Sequence, residues 1–228
     1  MTEQDSIGQI DKKVDYPYYI IKKTEAVRQK LIEDGVICAF HPEKTARGRK
    51  RPSVPVRNAL KKIDVRGKTV LDFGCGRSID AEFLAENGAN AYRYDPFYAP
   101  LCDAGAGQTR DEHSVRTISP SNPSERFDIA FCSYVLNVLT PRDRYLTAQL
   151  LKKLAGPESG IIVVGVREDK GAVRENWREY EDGYITGSGS FQCFFSNDDK
   201  IDRKLIHVFG SLEINRIGRS TYIVRNIV

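Results

Sequence analysis

From Gly67 onward, short apolar runs alternate with stretches whose apolar positions recur near every 3.6 residues. Lys68–Phe73 (KTVLDF) has the length of a buried strand, and Ser78 to Asn87 the spacing of a helix that Gly88 closes. Ala89–Tyr94 predicts a second strand, ending at Asp95-Pro96. Ser124–Ser133 (SERFDIAFCS) contains a third. Pro141–Ala155 predicts a helix with Tyr145, Ala148, Leu151 and Leu154 as its apolar positions, and Ile161–Val166 (IIVVGV) is a continuously apolar strand. Strands separated by helices imply a parallel sheet covered on both faces, so the fold class is α/β.

On either side the pattern changes. Tyr18 to Asp34 predicts a helix, with Tyr19, Lys22 and Lys23, Ala26 and Val27, and Leu31 near the helical period and Gly35 as the stop. Pro42, Pro52 and Pro55 prevent one continuous helix through the next stretch, and Val56 to Ile63 predicts a shorter one. Beyond Arg167, Tyr184–Phe195 (YITGSGSFQCFF) mixes glycine, serine and aromatics, which suits a loop or lid. Ile206–Phe209, Leu212–Ile217 and Thr221–Ile227 predict β-structure, closing in an antiparallel hairpin about Gly218-Arg219. Residues 1–62 therefore form an N-terminal helical, basic extension and residues 63–228 the main domain.

Composition narrows the class. The 228 residues are 40% hydrophobic and 29% charged, ordinary values for a globular chain. The five cysteines (Cys38, Cys75, Cys102, Cys132, Cys193) include no CxxC pair, which argues for a reduced, cytoplasmic setting. No run reaches the ~18 apolar residues of a membrane span, and the start has no signal-peptide core. The net charge is only +4, but Lys44, Arg47, Arg49, Lys50, Arg51, Arg57, Lys61 and Lys62 follow one another with no acid between Lys44 and Lys62. That block suits a phosphate-rich or other polyanionic partner, or it is a solvated linker.

The chemistry is densest at Val70-Leu71-Asp72-Phe73-Gly74-Cys75-Gly76, followed by Asp95. A strand that opens through GxG into a helix lets backbone approach a ligand, and an acid at the next strand end can accept from both hydroxyls of a ribose. Ile79 stands where a dinucleotide fingerprint has its third glycine, and Asp72 would repel a pyrophosphate. Asp72 favours a cationic ligand instead. S-adenosylmethionine, with an ammonium, a sulfonium and no phosphate, meets that requirement better than NAD.

With YDP at the next strand end and FDIAFCSYVLNVL further on, VLDFGCG resembles the class I S-adenosylmethionine-dependent methyltransferases over residues 67–166. HPEKTARGRKRPSVPVRNAL, YDPFYAP, SYVLNVL and GSGSFQCFF resemble, more narrowly, the methyltransferases associated with bacterial DNA phosphorothioation clusters; their GCGRG is GCGRS here, with Ser78 in place of a glycine. The resemblance implies a Rossmann-like class I fold with a mostly parallel seven-stranded sheet. It further implies that Asp72, Gly74, Cys75 and Gly76 meet the methionine part of the cofactor, that Asp95 holds the ribose and that Pro96 and Phe97 cover the adenine. Ser133, Tyr134 and Asn137 would then face the methyl group and the acceptor. Tyr134 read alone is equally a packed aromatic, and Asn137 a helix N-cap.

For the acceptor the signals are weaker. Cys132-Ser133-Tyr134-Val135 lacks the proline pair of DNA amino-methyltransferases, no cysteine follows a proline as in cytosine-C5 enzymes, and His41, His113 and His207 have no metal-ligand spacing. Lys44, Arg47 and Arg51, with Arg77 after the glycine turn, could bring an anionic acceptor to the cofactor edge. Tyr134, Phe191, Phe194 and Phe195 could stack a flipped base or single-stranded nucleic acid, although Phe194 and Phe195 also suit a core. The expectation is methyl transfer to a nucleic acid or nucleotide-like anion. The alternatives are a small-molecule methyltransferase and a non-catalytic cofactor- or nucleic-acid-binding protein.

Overall fold

The computed structural model describes residues 49–95, 115–118, 126–156, 160–168, 173–195, 203–210 and 213–225, with Thr45 and Gly171. The helix expected over Tyr18 to Asp34 lies outside them, as do Pro96, Phe97, Lys44 and Arg47. The order begins with helix α1 (Val54–Ala59), strand β1 (Thr69–Phe73), helix α2 (Ile79–Glu86) and strands β2 (Asn90–Tyr94), β3 (Arg116–Thr117) and β4 (Ile129–Ser133). A 3-10 turn (Leu136–Val138), helix α3 (Pro141–Leu154) and strands β5 (Ile161–Gly165), β6 (Arg178–Tyr180), β7 (Gly183–Ile185) and β8 (Phe191–Cys193) follow. Helix α4 (Arg203–Phe209) and strands β9 (Glu213–Gly218) and β10 (Thr221–Arg225) complete it.

Seven strands form one sheet in the order β3-β2-β1-β4-β5-β10-β9. Pairing is parallel from β3 to β5 and antiparallel at β10 and β9. Strands β4 and β5 are almost wholly apolar because both faces of the sheet are covered there, and in β1 Asp72 interrupts the apolar run. On one face Val70, Ile129, Phe131, Val163 and Ile223 pack with Val56 and Ala59 of α1 and Leu84 of α2. On the other, Leu71, Phe73, Cys132, Val164 and Tyr222 pack with Leu151 and Leu154 of α3, with β8 and with α4. The period of two along β1 thus puts Asp72 on the α1–α2 face, beside Val70.

Helix α1 sits in this core although it falls within the segment read as an extension: Val56 and Ala59 are fully buried. Ser53 caps it through Val56 N–H, and Pro55 occupies its first turn.

Two expectations are corrected. Ile206–Phe209 is helical, because Leu205, Val208 and Phe209 recur at helical spacing and all three are buried. Tyr184–Phe195 is a β-hairpin, not a loop or lid. Strands β7 and β8 pair across the turn Thr186–Ser190 and β6 adds a third antiparallel strand, so that Phe191, Cys193, Phe194 and Phe195 are core residues. Strand β3, two residues long, had no sequence signal. Among the described residues no helix is long and apolar enough to cross a membrane.

Candidate active site

The strand order reverses at β1, which has β2 on one side and β4 on the other. A crevice outside the carboxyl ends of the strands is where such sheets hold ligands. The turn leaving β1 there is tightly specified. Gly74 has φ 74° and Gly76 φ 54°, both in the left-handed region. A Cβ on Gly74 would stand 2.3 Å from Val135 Cγ2, so glycine is required by contact as well as by backbone angle. Gly74 and Cys75 N–H groups both donate to Tyr94 carbonyl at the end of β2, at 2.7 and 3.1 Å. Gly76 N–H donates to Asp95 Oδ2 at 2.9 Å. The turn and the acid predicted for the ribose are therefore one unit.

Ser78, where the resembling sequences have glycine, also lies in the left-handed region at φ 66°. That conformation costs a non-glycine residue about 1–2 kcal/mol. The hydroxyl is built into the turn: it accepts from Arg93 Nη1 at 3.1 Å and donates to Cys75 Sγ at 3.7 Å. The Cys75 thiol is pushed up by burial, then by Asp72 and Asp95, so it is a packed thiol rather than a nucleophile.

Asp72 is the electrostatic centre. It is 2% exposed and its Oδ2 has no hydrogen-bond partner. Burial pushes its carboxyl well above the usual range; Asp80 and Asp95 push the same way, while Arg49 and the Ala81 backbone amide oppose them. A buried carboxylate oxygen without a donor is costly, and a cation or donor from a ligand would relieve it.

Sequence reasoning missed Asp80 and the segment that binds it. Asp80, in the first turn of α2, accepts from Ser53 N–H at 2.6 Å and from Arg49 Nη2 at 3.2 Å. Ser53 Oγ reaches Ser133 Oγ at 3.3 Å. Residues 49–53 thus form a strap from the start of α2 to the end of β4, across the carboxyl end of β1. An acid in a helix first turn is a commonplace of sequence, and nothing along the chain announces a partner 31 residues away.

Ser133 closes β4 and is buried. Tyr134 follows it at φ 64°, a rare conformation for an aromatic, held by its N–H on Gly165 carbonyl at 2.8 Å. It is half-buried, and burial pushes its phenol up, with Arg49, Asp80, Arg57 and Glu168 the surrounding charges. The raised pKa keeps the Tyr134 phenol neutral at ordinary pH. Asn137 serves otherwise than as an acceptor-facing group or a helix cap. It is 1% exposed, its Oδ1 accepts from Arg167 N–H at 2.7 Å, and its Nδ2 donates to the carbonyls of Cys193 (2.8 Å) and Arg167 (3.3 Å). It pins the segment after β4 to the ends of β5 and β8.

Phe191 is likewise not a substrate platform: it is fully buried, edge-on to Tyr180 at 6.4 Å between ring centroids. Arg51 and Arg77 are exposed. Glu168, which carried no sequence signal, is buried beyond β5 and accepts from Arg216 (3.1 and 3.2 Å) and from the Tyr222 hydroxyl (3.1 Å).

A family model described as a methyltransferase domain matches residues 46–199. No curated protein matches the chain. Among solved structures, an S-adenosylmethionine-dependent methyltransferase of Methanosarcina mazei is 13% identical with a TM-score of 0.55, over 76% of this chain and 96% of that one. The 1,6-didemethyltoxoflavin-N1-methyltransferase of Burkholderia thailandensis, solved with 1,6-didemethyltoxoflavin and S-adenosylhomocysteine, is 19% identical with a TM-score of 0.51, over 93% and 91%. The CcbJ methyltransferase of Streptomyces caelestis is 13% identical with a TM-score of 0.51, over 80% and 93%. At these identities the likeness is one of fold.

Proposed function

The chain belongs to the methyltransferase-domain family, and from that premise we propose that it methylates a small anionic acceptor, using S-adenosylmethionine held at the turn after β1. The observation that carries this reading is the unpartnered, buried Asp72 Oδ2 beside two left-handed glycines and Asp95. These residues fit the cofactor. Asp72 offers an acceptor to a cationic group, Gly74 and Gly76 leave room for backbone approach, and Asp95 offers the carboxylate that two ribose hydroxyls need. The bound cofactor supplies an electrophilic methyl group on a sulfonium.

The protein's own task is placement. Well-held geometry can contribute about 7–11 kcal/mol to a displacement of this kind. Tyr134, fixed in a strained conformation at the end of β4, is placed to orient the acceptor through a neutral hydroxyl. Arg51 and Arg77, both exposed, supply the positive field that favours an anion. A small acceptor is supported because Phe191, Phe194 and Phe195 are interior residues and so unavailable to stack a base. The Burkholderia neighbour is named as an N1-methyltransferase of 1,6-didemethyltoxoflavin, and this too favours a small acceptor.

A nucleic-acid acceptor is the second reading. It is supported by the exposed run Lys50, Arg51, Arg57, Lys61 and Lys62 and by the narrower resemblance to methyltransferases associated with DNA phosphorothioation. The buried thiols of Cys75 and Cys132 support a reducing, cytoplasmic setting. Methyl-labelled S-adenosylmethionine, incubated with the protein and with nucleotides, other small anions, DNA or RNA, tests the proposal. Label should pass to a small anion. Label passing only to DNA or RNA would replace this reading with the second, and label passing to none would favour a binding protein.

A further inference from the structure

A group of aromatic rings stands apart from both cores. Trp177 stacks on Phe194 at 6.5 Å between ring centroids, and Tyr184 lies 6.3 Å from each of them. None of the three belongs to either apolar cluster of the large sheet. Phe194 is buried, whereas Trp177 and Tyr184 are only half-buried. Arg167, half-buried just past β5, sets its guanidinium carbon 5.5 Å from the Phe194 ring centre. The group is rooted at the edge of the sheet where Tyr134 lies. Tyr184 and Gln192 stand opposite each other on one face of the β7–β8 pair, and Gln192 Nε2 donates to Asn137 carbonyl at 3.3 Å. Asn137 Oδ1 in turn holds Arg167 N–H at 2.7 Å, while Phe195 N–H holds the Arg167 carbonyl at 2.9 Å. Tyr134 N–H is on Gly165, at the end of the same strand that leads into Arg167. The aromatic face, the guanidinium and Tyr134 are thus anchored on the ends of β4 and β5.

Indole and phenol rings offer a flat molecule a flat apolar surface with few side-chain torsions to fix. A guanidinium at the rim of that surface matches a carboxylate or a similar anion through two parallel N–H groups. We propose that Trp177, Tyr184 and Arg167 form the acceptor wall, and that the acceptor is a planar aromatic or heteroaromatic anion, with its ring on Trp177 and Tyr184 and its charge at Arg167. The proposal rests on the small-acceptor reading above and gives that acceptor a chemical class. Arg167 supplies a fixed contact where the exposed Arg51 and Arg77 supply only a general field. The nearby acids do not oppose it. Glu168 is engaged by Arg216 and the Tyr222 hydroxyl, and Glu179, opposite Tyr184, is exposed on the edge strand β6, where water weakens its field.

Trp177 is the chain's single tryptophan, so its fluorescence reports on this wall alone. Three matched sets of probes are offered to the full chain with methyl-labelled S-adenosylmethionine: hydroxybenzoates and hydroxyquinoline carboxylates, the corresponding neutral phenols and hydroxyquinolines, and hydroxycyclohexane carboxylates. Label should pass to the first set at least about 10-fold faster than to the other two. Binding of its best member, with S-adenosylhomocysteine present, should change Trp177 fluorescence saturably. For that acceptor, KM should rise roughly 10-fold in Trp177→Leu and roughly 10- to 100-fold in Arg167→Gln. Trp177→Phe, which keeps a ring, should stay near wild type, and S-adenosylhomocysteine affinity should be unchanged in all three variants. Equal transfer to the saturated anions, transfer without a fluorescence change, or an unaltered KM in Trp177→Leu and Arg167→Gln would overturn the assignment. Loss of S-adenosylhomocysteine binding in the variants would overturn it too, by making the cluster a support of the fold. Label passing to no small anion of any kind fails the small-acceptor reading itself, an outcome separate from these.

Discussion

A single residue, Asp72, combines two costs that ordinary proteins avoid, burial of a carboxyl and an oxygen with no donor. Its pKa is raised in the folded state, so the unfolded chain ionises first as pH increases. The folded state is then penalised from about pH 4, the usual carboxylate value, upward until the folded pKa is passed. Asp72→Asn removes that penalty. Thermal unfolding of the ligand-free protein should show the variant more stable than wild type at pH 7 and the advantage fading below about pH 4. The same variant should bind S-adenosylhomocysteine at least about 10-fold more weakly. A variant less stable at pH 7 would show that Asp72 is a structural acceptor. Asp72 was legible from sequence, since an acid before GxG is a local signal. Arg49 and Asp80 were not, because their value lies in a contact that only the fold creates.

The elements that carry the site were the most readable part of the chain. Strands β1, β2, β4 and β5 and helices α2 and α3 follow the alternation of apolar runs and amphipathic stretches to within a few residues at their ends. Where sequence pattern and structure differ, the period is short or mixed. Arg203–Phe209 spans under two turns, and the apolar ends of the β7–β8 hairpin flank a turn rich in glycine and serine. Gly74 shows how closely element and turn are fitted. Gly74→Ala brings a left-handed alanine costing about 1–2 kcal/mol and a clash with Val135 costing about 1–3 kcal/mol more. Chemical denaturation should give a total loss of about 2–5 kcal/mol. In a Val135→Ala background the same substitution should cost only the backbone part. An equal cost in both backgrounds would mean that Val135 does not set the fit.

Across the whole molecule, the small sheet is fastened to the large one by a buried cation. Arg144 of α3 is 1% exposed, with Nη2 2.5 Å from both oxygens of Asp182 in the β6–β7 turn and Nη1 2.8 Å from Cys193 Sγ. Lys204 of α4 joins the same carboxylate at 3.3 Å. Arg144 is buried while Asp182 is exposed at the turn, so removing Asp182 leaves a buried guanidinium without its carboxylate, at a cost at or below the lower end of the roughly 3–5 kcal/mol of a fully buried pair. Asp182→Ala should therefore destabilise the protein by about 3 kcal/mol, whereas in an Arg144→Met background the cost should nearly vanish. Additive losses in that cycle would show that the pair is not the fastening. This long-range arrangement was invisible in the sequence. Arg144 reads there as one more charge on an amphipathic helix, and its burial follows from the hairpin that covers it.

Calorimetric titration of S-adenosylhomocysteine and of NADH into wild type and Asp95→Ala tests most directly where the cofactor sits. One S-adenosylhomocysteine should bind per chain, at least about 10-fold more weakly once the Asp95 carboxylate is gone, and NADH should not compete. Undiminished affinity in Asp95→Ala, or displacement of S-adenosylhomocysteine by NADH, would contradict it.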